Sequence, residues 1–386
     1  MHRDPSPSWQ GPHLIAASQL FDGERMLGPC SVEIAGGVIV ALHEPNEAPG
    51  GLPTRQLPAD SLLAPGFIDI QVNGGGGVLL NDDPSVATVG MMAAAHRRFG
   101  TTGLLPTLIT DAPDRLTTLA AIAGEALAVP GVLGFHLEGP FLNPARKGIH
   151  PPQHIRLPDE AEIALLTRFG MTGRSFLTLA PELVDGAVLK RLAAAGLRIA
   201  IGHSDATAAE VAAAVGDGAT GVTHLFNAMS QMTPRTPGVV GATLADERLF
   251  AGIICDGLHV DPVNLRAAFR AMGRDRLMLV TDAMSLIGSD KASFLLHGRA
   301  ITLKDGRLTD AQGTLAGAHL GMIEAVRNAV RLMGVTIEDA LIMASRTPAH
   351  FLGLDKELGR IVPGHRADLV AFDATSVLAT WIDGRP

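Results

Sequence analysis

Val132-Leu133-Gly134-Phe135-His136-Leu137-Glu138-Gly139-Pro140 is a short apolar run that ends on a carboxylate and is then broken by Gly-Pro. The run is too short for a helix and Gly139-Pro140 cannot continue a strand, so it reads as a buried strand that delivers Glu138 to a loop edge. Two later runs end in the same way, with His203 after Ile199-Ala200-Ile201-Gly202 and His224 after Gly221-Val222-Thr223. One Glu and two His at strand ends are a ligand set for a hydrolytic metal that keeps a coordination position open.

Working outward from this run, short apolar stretches alternate with Ala-rich helical stretches from about residue 65, the pattern of a parallel α/β fold. The predicted strands are Gly66 to Val72, Gly103 to Leu108, Val132 to Leu137, Ser175 to Leu179, Leu197 to Ile201, Gly221 to His224, Leu249 to Cys255 and Leu277 to Val280. Between them fall predicted helices at Val86 to Phe99, Arg115 to Leu127, Asp159 to Arg168, Gly186 to Ala195, Ala206 to Val215 and Val263 to Met272. Gly321 to Met333 and Ile337 to Leu352 follow the last strand. Asp69, Glu138, His203, His224, His259 and Asp282 all fall at or just beyond the C-terminal part of a predicted strand. A doubly wound open sheet concentrates such groups at one switch point. Spread around the strand set, they predict a (β/α)8 TIM-like barrel.

The chain ends have a different texture. Ser31 to Ile34 and Val38 to Leu42 flank Gly36-Gly37, a hairpin signal, and Asp368 to Phe372 and Ala379 to Ile382 have the same character. The expectation is one small β-sandwich domain from residues 1–63 and 359–386, with the barrel, 64–358, inserted between its halves. Hydrophobic residues make up 47% and charged residues 18% of the 386, which fits a core-rich globular enzyme and excludes disorder. A net charge of -8 argues against nucleic acid and leaves an anionic small molecule open, since a pocket can be locally positive. Met1 to Pro12 reads as a ragged leader without a signal peptide, and no run suggests a membrane span. Two cysteines, Cys30 and Cys255, in apolar segments imply no disulfide framework and point to a reducing, cytoplasmic compartment.

Asp282 ends the last predicted strand and is the candidate base, able to take a proton from attacking water and return it to a leaving nitrogen, although Asp is also a favoured cap. Arg146-Lys147-Gly148-Ile149-His150 brings three potentially cationic groups into the third β/α loop, where His150 could polarise a carbonyl or hold a hydroxyl. Asn227-Ala228 offers amide donors, His259 adds another near the mouth, and Arg235 suits bidentate recognition of an anionic oxygen group. Gly74-Gly75-Gly76-Gly77 lacks the Gly-Lys-Ser/Thr ending of a phosphate loop and reads as room for close backbone approach or loop mobility. Ser204 and Ser285 have no nucleophile-elbow pattern.

These motifs, in one order from Pro65-Gly66-Phe67-Ile68-Asp69 through Thr281-Asp282-Ala283 to Ala367-Asp368-Leu369-Val370, resemble the amidohydrolase superfamily, most closely its N-acetylglucosamine-6-phosphate deacetylase branch. Where the superfamily usually carries His-x-His on the first strand, this chain has Gln71-Val72-Asn73, and no lysine is evident as a carbamylated bridge. The resemblance therefore implies one divalent metal per subunit, zinc or else iron or another divalent ion, on Glu138, His203 and His224, with Asp282 as the acid/base. It further implies substrate contacts from Ile149, His150, Asn227, Ala228 and His259, a closing loop at Leu315-Ala316-Gly317, and Arg235 reaching the phosphate from a neighbouring subunit of a homodimer. The implied reaction is hydrolysis of the acetamide of N-acetylglucosamine 6-phosphate to glucosamine 6-phosphate and acetate. Alternatives are a related amidohydrolase on another N-acyl amino sugar phosphate or a cyclic amide, and a catalytically silent oligomeric scaffold.

Overall fold

The structure, a computed structural model, describes residues 11–386, so the expected leader lies almost wholly outside the described residues. Eight parallel strands form the central sheet: β1 (Phe67–Val72), β2 (Thr101–Ile109), β3 (His136–Glu138), β4 (Phe176–Leu179), β5 (Arg198–Ile201), β6 (Ala219–Val222), β7 (Phe250–Ile254) and β8 (Leu277–Val280). Each pairs with its sequence neighbour, the order expected of a barrel. At the seam β8 meets β1 without a regular ladder. Val72 bridges Ala283, Asp282 N–H donates to Gln71 O (3.0 Å) and Asn73 N–H to Ala283 O (2.9 Å). Helices follow the strands where expected, many opened by a capping side chain such as Ser85, Asp159, Asp185 or Asp261.

Both chain ends build two further sheets. One joins Val377–Trp381, Leu369–Phe372, Leu62–Pro65, Gln19–Phe21 and Met26–Leu27; the other joins Val38–His43, Cys30–Ala35, His13–Ala17 and Thr54–Gln56. The first sheet serves two cores, because strand side chains alternate between faces. Leu62, Ala64, Val370 and Phe372 pack into the barrel core, whereas Leu63, Leu369 and Ala371 pack with Ile15, Val32 and Ile39 in the small sandwich. Leu62–Pro65 thus lies across the expected junction at 63/64.

Several elements differ from expectation. In the third strand only His136–Glu138 is paired; Val132 makes a single bridge to Leu104, and at Gly134 the Arg174 backbone lies where a side chain would be. A helix at Gly238–Ala245 was not anticipated. The expected helix at Gly321 to Met333 is an α-helix, Met322–Asn328, that widens into a π turn, Ala329–Met333. Ile337 to Leu352 divides into Ile337–Ala344 and Arg346–Leu352, because the Pro348 ring would clash with the Ala344 carbonyl in one continuous helix. Finally, Ser293–Leu296, Arg299–Lys304, Arg307–Thr309 and Leu315–Ala318 form a four-stranded sheet over the barrel mouth. Leu315-Ala316-Gly317 is therefore a sheet strand, and the expectation of a loop there is corrected.

Candidate active site

The C-terminal ends of the barrel strands converge on a cavity of about 380 Å³. Glu138 is the last residue of β3, and His203, His224 and Asp282 each stand two residues beyond the end of β5, β6 and β8. All three of these have left-handed backbone, with φ of 50°, 31° and 51°. That conformation is unfavourable for non-glycine residues, and such outliers cluster at functional sites. Here it turns each side chain off its strand and into the mouth.

Glu138 Oε1 lies 3.0 Å from His203 Nε2 and 2.9 Å from His224 Nε2, and the two imidazole nitrogens are 3.0 Å apart. Burial alone would push Glu138 up, but hydrogen bonds and charge from His203 and His224 outweigh it and hold the carboxyl well below its usual range. Burial likewise opposes charging of His224, yet the hydrogen bond and charge of Glu138 raise its pKa. His203 Nδ1 lies 2.8 Å from Arg146 O and donates to it, which makes Nε2 the lone-pair nitrogen whenever the ring is neutral. A carboxylate oxygen and two imidazole nitrogens thus converge on one point, one ring oriented by a backbone carbonyl as metal-binding histidines commonly are. This donor set fits a divalent cation.

His150 also reaches the cluster, its ligand atom lying within 4.8 Å of those of Glu138 and His203. The mutual 3 Å contacts favour His224 as the third ligand, while His150 has only its Nδ1 engaged. The Thr110 hydroxyl donates to Glu138 O (3.3 Å) and so accepts from His150 Nδ1 at 2.9 Å, leaving His150 Nε2 as an acceptor. Burial, then the charge of His203, holds His150 neutral.

Asp282 accepts from Asn73 Nδ2 (2.6 Å) and Gln71 Nε2 (3.2 Å), and the same Gln71 amide donates to both Glu138 oxygens at 3.3 Å. Burial and the neighbouring Glu138 charge push Asp282 up to about 6. Of the two amides at the usual His-x-His positions, Gln71 therefore bridges the two carboxylates and Asn73 holds Asp282. His136, one residue inside Glu138's neighbour, stacks on Phe176 and bonds Thr107 and Thr178; burial drives its pKa down to about 3, and its part is structural.

Ile149, Asn227, Ala228, His259, Leu315 and Gly317 line the same cavity. His259 Nδ1 is tied to Asp256 (2.6 Å), while its Nε2 and the Asn227 amide nitrogen are buried without a partner. One expected contact stands elsewhere, the Ala316 side chain packing with Met284 and Leu286 in a separate apolar cluster, and Arg235, expected to serve a neighbouring subunit, is exposed beside a second cavity with Arg146 and Asp205. Arg146 is paired with Asp205 rather than free. Gly74 and Gly75 satisfy the close-approach reading, since a Cβ would lie 2.3 Å from Val78 O at the first and 2.9 Å from the His96 ring at the second. Sequence reasoning missed Met284, Gly313 and Thr314 in the cavity wall and Thr110 behind His150; only the Gly-Thr pair before Leu315 carried a local signal.

Residues 62–386 match the amidohydrolase family. An N-acetylgalactosamine-6-phosphate deacetylase of Shewanella sp. (strain ANA-3) is 44% identical over 360 residues, covering 92% of this chain and 91% of its own length. An N-acetylglucosamine-6-phosphate deacetylase of Haemophilus influenzae is 36% identical over 92% of this chain and 94% of its own length. The crystal structure of N-acetylglucosamine-6-phosphate deacetylase from Pasteurella multocida superposes with a TM-score of 0.93 at 35% identity, covering 97% of this chain and 98% of that one.

Proposed function

The chain belongs to the amidohydrolase family, and we propose that it hydrolyses the acetamide of N-acetylglucosamine 6-phosphate, giving glucosamine 6-phosphate and acetate. The observation that carries this reading is the convergence of Glu138, His203 and His224 within 3.0 Å of one another, with Asp282 beside them on a shared Gln71 amide. Glu138, His203 and His224 would hold one divalent ion, zinc in the first instance, which when bound acidifies water and polarises the acetyl carbonyl. Asp282, as the carboxylate, accepts the proton of the attacking water and delivers it to the departing amine nitrogen. Its raised pKa keeps that proton exchangeable near neutral pH. The bare Nε2 of His150 favours accepting from a sugar hydroxyl over polarising a carbonyl. Asn227 and His259 offer further polar atoms to the sugar, and Ile149, Ala228 and the Leu315 to Gly317 strand enclose it.

Among the described residues lining the cavity there is no Lys or Arg, although a phosphate is dianionic. The exposed Arg235 therefore supports a homodimer in which each subunit lends this side chain to its neighbour's cavity. A second reading, the C4 epimer N-acetylgalactosamine 6-phosphate, is favoured by the name of the 44% identical relative. Among the described residues no helix is long and apolar enough to cross a membrane. The deciding experiment measures acetate release from both sugar phosphates and from unphosphorylated N-acetylglucosamine, with metal analysis of the same sample. Comparable turnover with and without the phosphate would overturn the reading of the substrate, and active protein free of metal would overturn that of the site.

A further inference from the structure

Asp69 lies within β1, fully buried, and nothing in the chemistry above uses it. A carboxylate in that position is costly, because burial strips its water. Among the described residues no Lys, Arg or His hydrogen-bonds to it or pairs with it, and burial pushes its pKa up to about 7. Its acceptor capacity goes to one short segment. Oδ2 accepts from Thr281 Oγ1 at 2.5 Å, and Oδ1 from Thr281 N at 3.2 Å and Gln71 N at 3.3 Å. The Thr281 hydroxyl oxygen accepts in turn from Ala283 N at 3.2 Å.

This segment is the seam where β8 meets β1 without a regular ladder, and isolated bridges from Ala283 to Val72 and to Ala318 hold its backbone in place of continuous pairing. Asp282 follows Thr281 directly and sits at φ 51°, a conformation that costs roughly 1 kcal/mol or more and persists only when neighbours impose it. The neighbours are present on every side: Asp69 grips the residue before, Gln71 O the Asp282 N–H, and the Thr281 hydroxyl the residue after. Asn73 and Gln71 orient the Asp282 carboxylate, whereas Asp69 holds the main chain that carries it.

We infer that Asp69 is a positioning residue, fixing the backbone of Asp282 through Thr281 so that its carboxylate is aimed at the reacting centre. The inference rests on the reading of Asp282 as the base. Displacing a reacting group by about 1 Å costs on the order of 100-fold in rate, so a modest loosening of this hold is enough to register in kcat.

The test uses the metal-loaded enzyme. Asp69→Asn keeps the shape but gives up the charge and one acceptor, and kcat should fall about 10- to 100-fold with KM within about twofold and metal content per chain unchanged. Thr281→Val should lose a comparable factor, and Thr281→Ser, which keeps the hydroxyl, should recover most of it. A purely structural Asp69 would alter yield and leave kcat per loaded site within about twofold of wild type, and that result overturns the inference. Should Asp69→Asn not fold, the Thr281 pair decides alone, equal kcat for Val and Ser being the overturning result. Asp282→Asn measured alongside separates the two levels. A near-wild-type Asp282→Asn removes the base assignment itself, whereas an inactive one beside a fully active Asp69→Asn removes only the role of Asp69.

Discussion

Glu182 should be the residue whose loss most loosens the metal site without touching it. It stands on the turn Pro181–Leu183 after β4, and its carboxylate ties two other loops together: Oε1 accepts from Asn143 Nδ2 (2.9 Å) and Asp205 N (2.7 Å), Oε2 from Ser204 Oγ (2.7 Å). Asn143 N–H in turn donates to His203 O at 2.9 Å, and Arg146, three residues on, supplies the carbonyl for His203 Nδ1. In Glu182→Ala all three donors lose a charged acceptor. Such bonds contribute about 1.5 to 3 kcal/mol each when buried. Glu182 is half-buried and its donors regain water, so a total of about 2 to 3 kcal/mol is the reasonable expectation. Groups that orient metal ligands typically account for about 10- to 100-fold in affinity. Competition with a zinc chelator should therefore show Glu182→Ala losing metal affinity in that range, with Glu182→Gln in between, because its amide oxygen still accepts. Affinity within about twofold of wild type for Glu182→Ala would refute the reasoning.

Removing metal with a chelator should abolish deacetylation and adding back a divalent ion restore it, while His203→Asn should bind less than one ion per chain by elemental analysis. Burial pushes the Asp368 carboxyl up to about 6 despite Arg366 beside it, so between about pH 4 and 6 the folded state holds a proton the unfolded state has lost, and stability falls as pH rises. Unfolding at pH 4 and pH 7 should show Asp368→Asn gaining about 2 kcal/mol on the wild type across that interval; a constant difference would contradict it. Gly134→Ala places a Cβ 2.5 Å from the Arg174 carbonyl carbon, and the backbone shift it forces should cost about 1 to 3 kcal/mol in the same assay.

The barrel was legible because its strands are buried on both faces and so appear as continuous apolar runs, each closed by a polar residue where the strand meets the mouth. Glu138, His203, His224 and Asp282 were visible for that reason. Gly238–Ala245 was not, since Gly-Val-Val-Gly is a poor helix former and stands as a helix only because that face is buried against the barrel. The sheet over the mouth did leave a signal, His297-Gly298 and Asp305-Gly306 between alternating stretches, which stands outside the strand–helix alternation of the barrel. The roles of Glu182 and Asp69 leave no such trace. Each depends on partners from other loops or from a strand at the opposite end of the barrel sequence, and no local pattern encodes a contact between residues 69 and 281.

Ile149 and Leu315 line the cavity, and the sheet that carries Leu315 rests on an apolar cluster of its own, with Leu79, Ile109, Met284, Leu286, Leu296, Ile301 and Leu308, joined to the barrel through Ala318 and its bridge to Ala283. Sequence drift in this wall can reshape the space offered to a sugar without disturbing the packing that keeps the barrel closed. For a lineage in which similar chains carry the names of deacetylases for two epimers, selection for a new substrate can act on one module while the chemistry stays anchored in another.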